Sequence, residues 1–148
     1  DCLLSRGLGD VYKRQIQALN RTAAFNRWAG FEVVRAENGE AELRMAWREA
    51  DMGQYAGFLH AGMIGALLDT VCGFAAATVA GRVLASHFSV DCMAPALGRV
   101  FVARGRVVKA GRKQVFTAAE LFGEAEDGTL KLLATGSTIL VPVPDDRS

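Results

Sequence analysis

A single carboxylate, Asp69, stands inside a long apolar stretch of the sequence. Between residues 61 and 80 the only other ionisable side chain is the thiol of Cys72. An ionised carboxylate is costly to bury unless it is paired with another group or used in a reaction. Two interpretations follow from the residue alone. Asp69 is either a buried carboxylate that a neighbouring group satisfies, or the general base or nucleophile of an active site.

The start of the same stretch offers hydrogen-bond donors. Ala61 and Gly62 fall in the first turn of the helix that this stretch predicts, where N–H groups lack partners and the helix carries a partial positive charge. Such amides suit an oxyanion hole, and small side chains let a substrate approach the backbone. Asp69 lies eight residues beyond Ala61, which is about 12 Å along a helix axis. One carbonyl group cannot contact both, so either one of them is not catalytic or the site combines Ala61 of one subunit with Asp69 of another.

The elements that must position these groups follow from the pattern of apolar residues. A helix over residues 60–79 is apolar on nearly all sides, so other structure must surround it. An amphipathic helix over residues 16–29 precedes it, and Asn38-Gly39 predicts a tight hairpin turn. Consecutive short strands joined by tight turns predict an antiparallel sheet that curls around the central helix. The predicted strands cover residues 31–36, 40–48, 83–93, 100–109, 114–122 and 130–143.

A length of 148 residues predicts one domain, which we place at residues 16–143, followed by a polar tail at residues 144–148. Residues 1–15 show neither a helical nor a strand period and resemble translated adapter sequence. We therefore expect them to be a non-native or disordered leader.

Composition limits the partners that the protein can have. Seventeen Lys and Arg residues against 16 Asp and Glu residues give a net charge of +1, which offers no argument for nucleic acid. The three cysteines include no closely spaced pair, and only two histidines are present, so we expect no metal site. An odd cysteine count without a disulfide framework favours the cytoplasm. Residues 61–80 are long enough to span a membrane, but their glycine and alanine content and Asp69 argue against that.

Several segments resemble the PaaI-like acyl-CoA thioesterases. Residues 59–62 (Leu-His-Ala-Gly), followed by residues 66–70 (Ala-Leu-Leu-Asp-Thr), resemble the His-Gly-Gly to Asp signature of that family. Residues 90–95 and 107–112 resemble its strand after the central helix and its penultimate hairpin. The resemblance implies an α+β hotdog fold, in which a curved antiparallel sheet of five to six strands wraps a long central helix.

The resemblance also implies hydrolysis of acyl-CoA thioesters to free acid and coenzyme A. Asp69 would be the nucleophile or general base, and the Ala61 amide would donate to the thioester oxygen. Gln54 would position the substrate or a water molecule. From its place before the helix we expect His60 to orient the loop by hydrogen bonds, with a general base as the alternative role. The family has glycine where this chain has Ala61, but alanine keeps the N–H group unless the backbone there needs a positive φ.

Further residues are expected to contact the substrate. Arg112 and Lys113 lie in a basic hairpin, which either binds the coenzyme A phosphates or is a solvated, charged sheet edge. Ser86 stands beside Ala85 where the family has Ser or Thr. The full set of expected contacts is Gly62, Thr70, Ser86, Arg112 and Lys113.

The expected assembly is a homodimer, or a tetramer built as a dimer of dimers. The expected partner is the acyl-CoA alone, with no separate cofactor, nucleic acid or membrane. Two other functions stay open: an enoyl-CoA hydratase or dehydratase on the same fold, and a non-catalytic acyl-CoA-binding module.

Overall fold

The computed structural model describes residues 2–144. One six-stranded antiparallel sheet with the strand order β1-β2-β4-β5-β6-β3 packs against a long helix, α4. The helices are α1 Cys2–Thr22, α2 Ala24–Ala29, α3 Glu49–Met52 and α4 Ala61–Ala80. The strands are β1 Glu32–Glu37, β2 Glu40–Ala46, β3 Val83–Cys92, β4 Val100–Ala110, β5 Val115–Glu124 and β6 Leu130–Pro142. The predicted hotdog architecture is confirmed.

The central helix α4 is buried on most of its surface. It contacts all six strands, which requires the sheet to curve around it. Leu67, Val71, Cys72 and Ala75 on this helix have no solvent-exposed surface. By length and composition α4 could also cross a membrane, but 61% of its most apolar window is buried inside this protein.

The hairpin between β1 and β2 forms as the sequence predicts. Asn38 and Gly39 have φ angles of 49° and 78°, which is the left-handed backbone that a tight hairpin turn requires. The Gly39 N–H donates to Thr78 Oγ1 at 2.8 Å, so the turn is anchored to the last turns of α4. In β2, Ala41, Leu43 and Met45 point into the core, in keeping with a strand that has one buried face.

The two edges of the sheet differ. Helix α1 covers the β1 edge: Asn20 Nδ2 donates to Phe31 O at 2.8 Å and Gln17 Nε2 donates to Val33 O at 3.3 Å. The β3 edge is open, because no strand in residues 2–144 pairs with its outer side. Leu84 and Phe88 on this strand are 64% and 51% exposed.

The first helix differs from the prediction. It begins at Cys2 rather than at residue 16, so the segment expected to be a non-native or disordered leader is helical. The helix packs tightly against β1 at Gly9, because a Cβ added there would lie 2.2 Å from Glu37 Oε2. The helix ends at Thr22, whose hydroxyl donates to Leu19 O at 2.7 Å, and Ala23 is extended, so a separate short helix follows. That residues 1–15 are non-native stays a prediction, and residues 145–148 of the predicted tail lie outside the described residues.

Candidate active site

A cavity of about 640 Å³ lies at the N-terminus of α4. It is lined by Gln54, His60 and Ala61 on the helix side and by Cys92 and Pro95 at the end of β3. These residues meet because the loop before α4 folds back on itself, with a bridge between Gly53 and Leu59. The structure therefore brings three of the four predicted catalytic residues into one cavity.

His60 is the N-cap of α4. Its backbone is extended, with φ −61° and ψ 138°, and its Nδ1 accepts a hydrogen bond from the Gly62 N–H at 2.8 Å. The His60 carbonyl accepts from Met63 and Ile64 at 2.9 and 3.2 Å. Within the described chain this leaves the Ala61 N–H as the first-turn amide without an acceptor. Because Ala61 is helical, it does not need the positive φ that would have favoured glycine.

Gln54 is held by its own loop. Its Oε1 accepts from the Ala56 N–H, and its backbone N–H donates to Phe58 O at 2.8 Å. Its Nε2 makes no hydrogen bond to the rest of the described chain. The side chain therefore has a fixed position and a donor group available at the cavity.

Asp69 lies in a different cavity, of about 320 Å³, midway along α4. Its Oδ1 is buried and has no hydrogen-bond partner within residues 2–144. Burial raises the pKa of the Asp69 carboxyl above its ordinary value, because the ionised form loses its hydration. Thr70 lines the same cavity. A half-buried carboxylate with a raised pKa and a free oxygen is suited to accept a proton or to attack an electrophile.

Within one chain the two halves of the predicted site are apart. Ala61 and Gln54 line one cavity and Asp69 lines the other. This agrees with the separation of about 12 Å that a helix imposes over eight residues. Within a single chain, Ala61 and Asp69 therefore do not face one common cavity.

Comparison with known proteins identifies the family. Residues 56–129 match the family model described as thioesterase superfamily. The chain belongs to the thioesterase superfamily. A search of the curated proteins finds no match.

Several solved structures share this fold. A thioesterase family protein from Silicibacter pomeroyi is 30% identical, with a TM-score of 0.83 over 88% of this chain and 96% of that chain. S. sahachiroi AziG is 25% identical, with a TM-score of 0.73 over 82% of this chain and 97% of that chain. The E. coli PaaI protein from the phenylacetic acid degradation operon is 17% identical and superimposes with a TM-score of 0.82 over 93% of this chain and 96% of that chain. The resemblance to PaaI-like hotdog thioesterases is thus confirmed.

The remaining predicted contacts are spread over this thioesterase-superfamily fold. The Gly62 N–H is committed to His60 rather than free for a substrate. Ser86 sits at a bulge in β3, where its Oγ donates to Ile139 O at 3.2 Å, and its neighbour Ala85 is the one that lines the Asp69 cavity. Arg112 and Lys113 are exposed in the β4–β5 turn and line neither cavity.

Sequence reasoning missed several residues that line the Asp69 cavity. Leu19 comes from α1, Gly73 from the same face of α4, and Leu84 from β3. None of them belongs to a motif, since a leucine or glycine in an apolar segment has no distinctive chemistry. The spacing of Asp69, Gly73 and Ala77, four residues apart on one helix face, is the one signal that could have indicated a shared surface.

The outer face of the sheet carries another groove of about 610 Å³. Its charges are largely paired with each other: Arg104 Nε donates to Glu42 Oε1 at 2.6 Å, and Arg35 pairs with Glu40. It contains neither Ala61 nor Asp69. We therefore place the candidate site at the two cavities along α4.

Proposed function

We propose that this thioesterase-superfamily protein hydrolyses acyl-CoA thioesters to a free acid and coenzyme A. The observation that carries the proposal is Asp69 itself, a carboxylate in the middle of an apolar helix that lines a cavity and whose Oδ1 is buried without a hydrogen-bond partner in residues 2–144. A carboxylate in that state has a raised pKa and a vacant acceptor position, as a general base or nucleophile requires.

The reaction assigns one task to each group. Asp69 removes a proton from water as the water oxygen attacks the thioester carbon, or its own oxygen attacks and water then hydrolyses the resulting anhydride. The negative charge that develops on the carbonyl oxygen is stabilised by the Ala61 N–H, with Gln54 Nε2 orienting the carbonyl or the water. Collapse of the tetrahedral intermediate breaks the C–S bond, and the coenzyme A thiolate takes up a proton. These steps use side chains and backbone of the protein and no separate cofactor.

The site is proposed to form between two subunits through the open β3 edge. The Ala61 cavity borders the end of β3 at Cys92, and the Asp69 cavity borders its beginning at Val83. If β3 pairs with its own copy in antiparallel fashion, the end of one strand lies beside the beginning of the other. That pairing brings the Ala61 cavity of one protomer next to Asp69 of the partner subunit, and two-fold symmetry produces two such sites.

The same symmetry suggests a place for the nucleotide of coenzyme A. Arg112 and Lys113 connect β4 to β5, and the pairing of Val115 with Leu140 and of Leu140 with Ala85 puts this turn at the Val83 end of the sheet. In the proposed dimer this end of one protomer adjoins the Ala61 cavity of the other. We therefore propose that the two cations bind phosphates of a substrate held in the partner's Ala61 cavity.

A thiol-release assay tests the proposal. The wild type is expected to release coenzyme A from a panel of acyl-CoAs, and Asp69→Asn is expected to lower kcat by about 100- to 10,000-fold, the usual contribution of a general base. Glu126→Gln makes the same chemical change in an exposed turn and serves as the control. Equal rates for wild type and Asp69→Asn would contradict the assignment.

The alternative functions have distinct outcomes in the same experiment. Water addition to an enoyl-CoA without thiol release would indicate a hydratase. Tight acyl-CoA binding without any turnover would indicate a binding module. A protein that remains monomeric at assay concentration yet hydrolyses acyl-CoAs would overturn the shared site.

A further inference from the structure

The Asp69 cavity extends well beyond the carboxylate. Its walls come from three elements, with Leu19 on α1, Gly73 and Ala77 on α4, and Leu84 on β3. Apart from Asp69, Thr70 and Arg82, every residue that lines it is apolar or glycine. A volume of about 320 Å³ lies at the lower end of the range for ligand pockets. A carboxylate at one end of an apolar channel fits a ligand with a reactive head and a hydrocarbon tail.

Gly73 keeps the channel open without being needed for packing. A Cβ added at this position would meet Leu140 Cδ2 at 3.9 Å, an ordinary van der Waals contact, and the backbone there is helical. Glycine inside a helix is less favourable than alanine. The space above Gly73 belongs to the cavity, so a longer side chain would occupy the volume that the channel now offers.

We propose that this cavity holds the acyl chain of the substrate and that Gly73 and Leu19 set the accepted chain length. This inference rests on the proposed thioester hydrolysis. The lining positions on α4 extend from Asp69 to Ala77, which is about 12 Å along the helix axis. An extended chain advances about 1.2 Å per bond, as the polypeptide backbone does. The channel therefore fits unbranched saturated acyl chains of medium length, such as octanoyl and decanoyl groups.

Leu19 is the only contribution of α1 to this channel among the described residues. It is 49% exposed, and it is the residue through which the first helix can affect specificity. Leu8 on the same helix is 59% exposed and does not line this channel. The two leucines form a matched pair for a test.

The test measures kcat/KM of the 148-residue chain for butanoyl-, octanoyl-, dodecanoyl- and phenylacetyl-CoA. The wild type is expected to prefer octanoyl-CoA. Gly73→Leu is expected to lower kcat/KM for octanoyl-CoA by at least about tenfold, the discrimination that one or two methylenes produce in an apolar pocket, and to lower kcat/KM for butanoyl-CoA much less. Leu19→Ala is expected to raise kcat/KM for dodecanoyl-CoA relative to octanoyl-CoA, whereas Leu8→Ala leaves the profile as it is.

Several results would overturn the inference and leave thioester hydrolysis standing. These are a wild-type preference for phenylacetyl-CoA, an equal loss for all chain lengths in Gly73→Leu, or the same profile for Leu19→Ala and Leu8→Ala. If Gly73→Leu does not fold, the comparison of the two leucine variants still decides the question. Release of thiol from none of these substrates would instead reject the proposed function itself.

Discussion

The first turn and the middle of α4 carry two kinds of functional group. At Ala61 the group is a backbone N–H, fixed by the helix and by the His60 cap. At Asp69 it is a side chain whose properties depend on burial and on the lack of a partner for Oδ1. In the proposed mechanism the donor at Ala61 does not depend on the side chain, so alanine could serve where the resemblance implies glycine. A carboxylate, by contrast, cannot be exchanged without losing its chemistry.

Removing the donor without disturbing the helix would show how much the first turn contributes. Ala61→Pro deletes the N–H at the first helical position, where proline is well tolerated, and the extended backbone of His60 suits a residue before proline. We expect kcat to fall by about 100- to 1,000-fold, as for loss of one oxyanion donor, with the unfolding midpoint nearly unchanged. Ala61→Gly restores the family residue, keeps the N–H and should retain activity. A fully active Ala61→Pro variant would show that another group holds the oxyanion.

Mixing the two inactive variants tests whether the two regions cooperate across subunits. A dimer of one Asp69→Asn chain and one Ala61→Pro chain has one site with both groups intact and one site with neither. Random mixing makes half of the dimers hybrid, so activity should recover to about a quarter of the wild-type value in a symmetric two-site dimer. The measurement is thiol release after the chains are co-refolded. No recovery, in samples where hybrid dimers are shown by native mass spectrometry, would place both groups of each site in one chain.

The cap of α4 should affect stability more modestly. His60→Ala removes the acceptor of the Gly62 N–H, and loss of an N-cap acceptor costs about 0.5–2 kcal/mol in unfolding free energy. His60→Asn keeps a capping oxygen and is the matched control. Urea unfolding with a constant slope compares the three proteins. An Asn variant as unstable as the Ala variant would mean that the imidazole acts through packing rather than through the cap.

Much of the fold could be predicted from the sequence, because short local patterns determine its main helix and its first hairpin. The apolar run predicts α4, and Asn38-Gly39 predicts the hairpin that then docks on Thr78. The extent of α1 was not predicted, since its first residues lack a clear period. The helix is held by tertiary contacts. Asn20 donates to the carbonyl group of Phe31, just before β1, and Gln17 donates to that of Val33 in β1. Such contacts depend on the position of the edge strand β1 in the folded sheet, which a local sequence pattern does not predict.

The candidate site also has a part that the sequence predicts and a part that it does not. Ala61, His60 and Asp69 were predicted, because a capped helix start and a lone carboxylate are chemically distinctive. The walls of the Asp69 cavity were not, since Leu19 and Leu84 lie far from Asp69 in sequence and meet it only through the packing of α1 and β3 on α4. Arg112 and Lys113 are residues whose chemistry the sequence shows but whose position relative to the cavities it does not. Their charges were noticed, but in a single protomer they line neither cavity.

The smallest expected effect concerns how the Asp69 environment changes stability with pH. Burial raises the pKa of this carboxyl, so the folded protein holds its proton at pH values where the unfolded chain has released it. Stability conferred by the neutral carboxyl is therefore fully present below the unfolded pKa and is lost as pH rises through the folded pKa. Asp69→Asn cannot ionise, so its stability relative to wild type should increase across that interval and level off above it.

Urea midpoints of wild type and Asp69→Asn over a pH series measure this effect. Burial is the cause that raises the pKa of the Asp69 carboxyl, although Arg82 also lines this cavity. Glu126→Gln, which removes an exposed carboxylate in the β5–β6 turn and outside β3, is the control for the loss of one carboxyl group. A relative stability of Asp69→Asn that falls with increasing pH would mean that a cation stabilises the Asp69 carboxylate in solution. The middle of α4 would then be a satisfied ion-pair site, and its contrast with the first turn would disappear.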